Sequence, residues 1–225
     1  MPHPLDRPVW SALSGRQLDL SVGDDFARRF APEIGPLAAA RDESVASLAA
    51  LNTLIPDDGA LILLEAEGAA VVPETGVSRT ARGVQMIVAD LKAVRSAVRM
   101  EPLSDADAAE MLALAELTEP GPFAARTHTL GQFWGVRENG RLAAIAGERM
   151  KPEGFAEVSG VCVHPAHRGR GHAAALSALV ADHIKARGET PFLHAYADNA
   201  GAIHLYESLG FVVRSPVTVA VLTQA

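Results

Sequence analysis

The chain has 225 residues, 48% hydrophobic and 21% charged, which is enough apolar character for a buried core and too much for a disordered segment. Twenty Lys and Arg stand against 27 Asp and Glu, a formal net charge of -7, which argues against a nucleic-acid partner held by concentrated positive charge. The single cysteine, Cys162, excludes an internal disulfide framework and a cysteine-cluster metal site, and fits a reducing, cytoplasmic setting.

Met1 to Asp6 lacks a basic start followed by an apolar run, and the longest continuous apolar stretch is Ala60 to Leu64, far short of a membrane span. The expectation is a soluble chain with no membrane partner. Residues 1–97 are read as an N-terminal α/β lobe, with a helix from about Ser44 to Leu54 and strands over Leu61 to Glu65 and Val84 to Ala89. A degenerate half that extends the sheet of the following domain fits this pattern.

From residue 98 the signals sharpen. Ser104-Asp105-Ala106-Asp107 opens a capped helix with acidic residues in its first turn, and Glu119-Pro120-Gly121-Pro122 ends it. Asn139-Gly140, between Phe133 to Val136 and Leu142 to Ala146, marks a β-hairpin. A strand over Ala156 to Val163 runs into a Gly-rich loop, then a helix with Leu176, Leu179, Val180 and Ile184 on one face, ended by Gly188. Pro191 to Tyr196 reads as a buried strand, Asn199 to Ser208 as a short helix, and Phe211 to Val213 with Val217 to Leu222 as two closing strands.

The chemistry concentrates in His167-Arg168-Gly169-Arg170-Gly171-His172-Ala173, between a strand and an amphipathic helix. Unpaired backbone N–H groups and the positive end of the helix dipole make such a junction an anion cradle, if glycines let the anion approach. The Lys-Ser/Thr ending of a P-loop is missing, as is a Gly-x-Gly-x-x-Gly with an acidic ribose partner, so nucleoside triphosphates and dinucleotides are poor candidates. Six of the eight histidines fall between His164 and His204, but no pair has zinc-motif spacing with a third ligand nearby, and no metal is expected.

Arg168-x-x-Gly171-x-Ala173 resembles the Arg/Gln-x-x-Gly-x-Gly/Ala signature of the GNAT superfamily of acyl-CoA-dependent N-acyltransferases. Val161-Cys162-Val163-His164-Pro165 leads in as that family's fourth strand does, and Asn199, Ala202, Tyr206 and Leu209-Gly210-Phe211 are similar to its following motif. The resemblance covers about residues 98–225 and is closest to the glycine N-acyltransferase-like subgroup. It implies an α/β fold with a mixed, mostly antiparallel central sheet flanked by helices, and a GNAT domain over 98–225.

The implied activity is acetyl transfer from acetyl-CoA to a primary amine by direct attack in a ternary complex, without a metal. The resemblance places pantetheine on the backbone of Val161, Cys162 and Val163 and near Asn199, and pyrophosphate on Arg168, Gly169, Arg170, Gly171, His172 and Ala173. It makes Tyr206 the acid that protonates the departing thiolate; without the motif, a packed aromatic is the other reading of Tyr206. Glu157 is the first candidate for general base and Glu148 the second, each equally readable as an ion-pair partner. By family analogy the Ser104 to His128 segment roofs the acceptor pocket, with Phe123, Arg126, Phe133 and Trp134 as candidate lining and His164 or His194 near the acceptor. A non-catalytic acyl-CoA sensor or an interaction module is the alternative class, and the family admits a homodimer. The acidic net charge leans mildly toward a cationic acceptor.

Overall fold

Capping chemistry sets the boundaries of the C-terminal helices. Ser104 and Asp107 form a capping box where a capped helix is expected, and helix 108–118 ends where Glu119 takes a left-handed conformation with φ 49°. Asn139 and Gly140 both have positive φ, as a two-residue hairpin turn requires. The computed structural model describes residues 3–73, 76–94 and 96–224.

In chain order the elements are α1 (Pro8–Leu13), β1 (Ser21–Gly23), β2 (Ala27–Phe30), β3 (Ala38–Ala40), α2 (Val45–Thr53), β4 (Leu61–Ala66), β5 (Val77–Val88) and β6 (Glu101–Pro102). There follow α3 (Ala108–Thr118), β7 (Trp134–Glu138), β8 (Arg141–Glu148), β9 (Phe155–Val163), α4 (His172–Ala186), β10 (Thr190–Tyr196), α5 (Ala200–Ser208) and β11 (Phe211–Leu222). Strands β1 to β3 form a small sheet, and the others an eight-stranded sheet in the order β4-β11-β5-β10-β9-β8-β7-β6. Neighbours in the large sheet are antiparallel except β9 and β10. This is the mixed, mostly antiparallel α/β sheet flanked by helices that the sequence leads one to expect.

The division expected at 97/98 runs through this one sheet. Strand β5 lies between β10 and β11 and pairs with both, and β4 closes the edge beyond β11. Strand β5 is also longer than the Val84 to Ala89 stretch read from sequence, because Ser78, Arg79, Thr80 and Arg82 hide its first half behind exposed polar side chains.

The two closing strands expected after Gly210 are one continuous strand, β11. A register shift between Val213 and Ser215 absorbs Arg214 as an extra residue and lets Pro216, which has no N–H to donate, sit beside the irregularity. On α4, Leu176, Val180 and Ile184 are fully buried, while Leu179 lies at the margin of the stripe.

Each face of the large sheet has its own core. Helices α4 and α5 cover one face, packing Leu176, Val180 and Ile184 with Leu193, Tyr206 and Phe211. The N-terminal segment covers the other, where Leu5, Val9, Leu13 and Phe30 pack on Leu64, Met150, Phe192 and Val217. No helix among the described residues is long and apolar enough to cross a membrane.

Candidate functional site

Strands β9 and β10 pair only through Thr190, Pro191 and Phe192, opposite Phe155, Ala156 and Glu157. Beyond that point β9 stays with β8 and β10 with β5, so the sheet opens like a V. A bulge in β9 adds to the opening: between the Ile145–Cys162 and Gly147–Ser159 pairs, Ala146 of β8 faces two residues of β9, Gly160 and Val161. Gly160 sits in the bulge with φ +62°, and a Cβ there would lie 2.9 Å from the Phe133 ring.

A cavity of about 580 Å³ fills the V. Its walls include Val161, Cys162 and Val163 from β9, Arg168, Gly169, Gly171, His172 and Ala173 from the loop and start of α4, and Asn199 and Tyr206 from α5. Residues nearly 50 positions apart, singled out on sequence alone, thus converge on one space. Arg170 and Glu157 do not border it. Arg170 points to Glu138, 3.8 Å away, on the neighbouring hairpin.

The loop has the conformation of an anion cradle. Gly171 holds φ +79° as the N-cap residue of α4, no side chain caps the helix, and the first-turn N–H groups are left for a ligand. His172 is only 3% exposed, and neither of its ring nitrogens has a hydrogen-bond partner among the described residues. Arg168 leans back on the end of β9, its Nε donating to the Val163 carbonyl at 3.4 Å.

Asn199 is the N-cap of α5, its Oδ1 accepting from the Ala202 N–H at 3.1 Å. Seven residues on, Tyr206 is 9% exposed and its hydroxyl makes no hydrogen bond to a described residue. Burial, reinforced by the negative charge of Glu157, pushes the phenol up to about 12, so it remains a proton donor at any working pH. Burial likewise pushes the Cys162 thiol up to about 11, which removes it as a thiolate nucleophile near neutral pH.

Glu157, the first candidate base, lies behind the cavity wall and is 1% exposed. Arg149 holds it through two hydrogen bonds of 2.8 Å, and His194 Nδ1 lies 2.7 Å from its Oε1. Burial opposes its charge, but Arg149 and then His194 outweigh burial and pull the carboxyl down to about 2, which makes it a weak proton acceptor. Glu148, the second candidate, is also off the cavity, clamped by Arg187 at 2.9 Å and Lys151 at 3.0 Å.

What reaches the cavity is Arg149 and His194. On the far side of His194 the Gln85 Nε2 lies 3.0 Å from Nε2. The Gln85 amide is oriented by Arg214, which donates to its Oε1 at 2.8 Å, and by the Leu5 carbonyl, which accepts from its Nε2 at 2.9 Å. This network assigns His194 the Nδ1–H tautomer, donating to Glu157 and accepting from Gln85.

Removing Glu157 leaves Arg149 buried and unpaired, so Glu157→Ala is expected to cost about 3–5 kcal/mol in urea unfolding at neutral pH. Because the folded pKa lies below the unfolded value of 4.5, the carboxylate's contribution is complete above about pH 4.5 and fades as pH falls toward 2. The gap between wild type and variant should therefore close across that acid window. A gap that does not change with pH contradicts the pairing.

Four expected lining residues are elsewhere. Phe133 is buried in the core under α3, with Phe123 edge-on to it at 5.6 Å. Trp134 packs on His183 at 4.7 Å, and Arg126 pairs with Glu33 on the surface. Of the Ser104 to His128 segment, the part that borders the cavity is Thr118 to Pro122 at the end of α3, and the deep wall includes Leu37, Ile62, Leu64, Gly83, Val217 and Val219. Nothing in the local sequence marks these as site residues; only the pairing of β4 and β5 with β11 and β10 brings them there.

A family model described as FR47-like protein matches residues 133–219. Among curated proteins, nothing matches the chain. A crystal structure of a Novosphingobium aromaticivorans protein assigned to the GNAT family of acetyltransferases is 47% identical, with 100% of both chains covered and a TM-score of 0.91. A GCN5-related N-acetyltransferase from Kribbella flavida shares the fold at 17% identity, covering 98% of this chain and 96% of its own, with a TM-score of 0.71. Identity of nearly one half along two entire chains is a relationship of sequence as well as of fold, and the chain belongs to the GNAT family of acetyltransferases.

Proposed function

We propose that the cavity binds acetyl-CoA and that the enzyme transfers the acetyl group to a primary amine by direct attack within a ternary complex. The observation that carries this reading is the convergence of an uncapped α4 N-terminus, a splayed β9 edge and the Tyr206 hydroxyl on one cavity. Pyrophosphate lies on Arg168, Gly169, Gly171, His172 and Ala173, with Arg170 contributing charge from outside the wall, and the unpartnered His172 ring adds an N–H donor. The pantetheine arm follows Val161, Cys162 and Val163, whose backbone completes the interrupted pairing of β9, and Asn199 faces its other side.

The amine nitrogen attacks the thioester carbonyl, the C–S bond breaks, and the thiolate leaves beside Tyr206. A cysteine thiol has an unperturbed pKa of about 8.5, far below that of this phenol, so Tyr206 serves the thiolate as a strong hydrogen-bond donor. The proton lost by the amine balances the thiol formed. The direct route is favoured over an acyl-cysteine because the Cys162 thiol is held protonated. His194, with Glu157 behind it as a positioning residue, is the side chain placed to receive the amine proton once the Gln85 bond yields.

Within the family, the reading keeps the glycine N-acyltransferase-like subgroup for residues 98–225. Residues 1–97 complete the sheet and supply Leu37, Ile62, Leu64 and Gly83 to the deep wall of the cavity.

Gly171→Glu tests the site. It forces a side chain into positive φ, a strain of order 1 kcal/mol, and brings a carboxylate to the anion cradle where a Cβ meets no steric obstacle. Calorimetric titration should show acetyl-CoA affinity falling at least a hundredfold with the thermal transition retained. Unchanged affinity moves the coenzyme elsewhere.

A further inference from the structure

The deep end of the cavity differs in character from the coenzyme end. Leu37, Ile62, Leu64, Val217 and Val219 supply a continuous aliphatic wall there, on the sheet face covered by the N-terminal segment. Ile62 and Leu37 form a bridge, Leu64 lies opposite Val219, and Val217 lies opposite Gly83, so the wall is one patch of neighbouring strands. Gly83 faces the same space, and a Cβ on it would come within 2.9 Å of Val217 and 2.8 Å of the Ala195 carbonyl. Those neighbours leave no room for a side chain at position 83.

The polar groups at this end are the Arg149 guanidinium and the His194 ring. The nearest carboxylate, Glu157, is already committed to both of them and lies behind the wall. The one carboxylate among the cavity's described lining residues is Glu119, exposed in the roof turn. A second positive charge carried by an acceptor would meet Arg149 and find no anion, at a cost that the surrounding aliphatic side chains cannot offset. The compartment thus offers no free carboxylate to the cationic acceptor toward which the net charge of the chain leans.

Resting on the acetyl-transfer reading above, we propose that the acceptor is a monoamine carrying a compact aliphatic or aromatic body, which the Leu37, Ile62, Leu64, Val217 and Val219 wall receives. Polyamines and lysine-rich peptides are disfavoured in the same compartment. The wall belongs to the acceptor because His194, the side chain placed to receive the amine proton, lines the same cavity and lies edge-on to Phe192 of the same apolar face at 5.6 Å. The coenzyme's expected contacts lie on the side lined by α4 and α5.

The test measures thiol release at saturating acetyl-CoA, with phenethylamine and spermidine as acceptors, for wild type, Ile62→Glu and the milder Ile62→Thr. One methylene in an apolar pocket discriminates by about 10–200-fold, so wild type should favour phenethylamine by at least about tenfold in kcat/KM. Ile62→Glu should lower phenethylamine kcat/KM by about 10–100-fold and narrow or invert the preference. Ile62→Thr should shift the ratio in the same direction by less, and acetyl-CoA affinity by calorimetry should stay unchanged in both.

A wild-type preference for spermidine, or a ratio that neither substitution moves, overturns the inference while leaving the transferase reading intact. Loss of hexanoyl transfer from hexanoyl-CoA in Ile62→Glu, with the amine ratio unmoved, assigns the wall to the acyl chain and also overturns it. Absence of acetyl-CoA binding in wild type sinks the transferase reading itself.

Discussion

A chain that starts at residue 98 is expected not to fold. Strand β5 pairs with β10 from Phe192 to Tyr196 and with β11 from Phe211 to Leu222, so its removal leaves two long unpaired edges in the middle of the sheet. The same cut strips Leu5, Val9, Leu13 and Phe30 from Met150, Phe192 and Val217, exposing an apolar face that the full chain buries completely. Gln85 leaves too, and with it the partner of His194 Nε2 and of Arg214. Burying one such side chain contributes roughly 1.5–3 kcal/mol, and a domain has only about 5–15 kcal/mol of net stability to lose. Circular dichroism melting of the 98–225 fragment should show no cooperative transition, where the full chain shows one. A cooperative melt together with acetyl-CoA binding by the fragment would prove that residues 1–97 are dispensable to the coenzyme domain.

Tyr206→Phe is expected to lower kcat by about a hundredfold, within the range for loss of one hydrogen-bond donor aimed at charge that develops in the transition state. The hydroxyl holds nothing in place, since it bonds to no described residue, and the ring keeps its contact with Phe211 at 6.0 Å between centroids. Stability and acetyl-CoA affinity should therefore stay near wild type, and the loss should appear in kcat and kcat/KM together, the mark of an interaction made in the transition state. The pH dependence gives a second reading. With the phenol at about 12, the rate should rise with pH as the amine loses its proton, and show no fall assignable to Tyr206 below about pH 11. An unchanged kcat in Tyr206→Phe returns the residue to a packing role.

How far the site could be read in advance depended on the distance over which each interaction is encoded. The Gly171 turn, the α4 stripe and the start of α5 at Asn199 are local devices whose residues lie within one helix or turn, and they stand where the sequence puts them. Glu157 was legible as a strand residue near the reaction centre, but its role depends on Arg149 and on His194, 37 residues away, which turn an available carboxylate into a buried, paired one. The deep wall was illegible for a related reason. Strand β4 meets β11 across about 150 residues of chain, and the apolar residues of β4 carry no mark of the cavity they face. Half of β5 was hidden because an exposed strand end with two arginines has no apolar alternation to reveal it.

The most direct test of the central claim is calorimetric titration of the full chain with acetyl-CoA, with thiol release followed on the same sample across a panel of primary amines. Saturable one-site binding, with thiol release that depends on the amine and is lost in Gly171→Glu, is the predicted result. Binding without amine-dependent release would make the protein an acyl-CoA sensor, and absence of binding would contradict the site altogether.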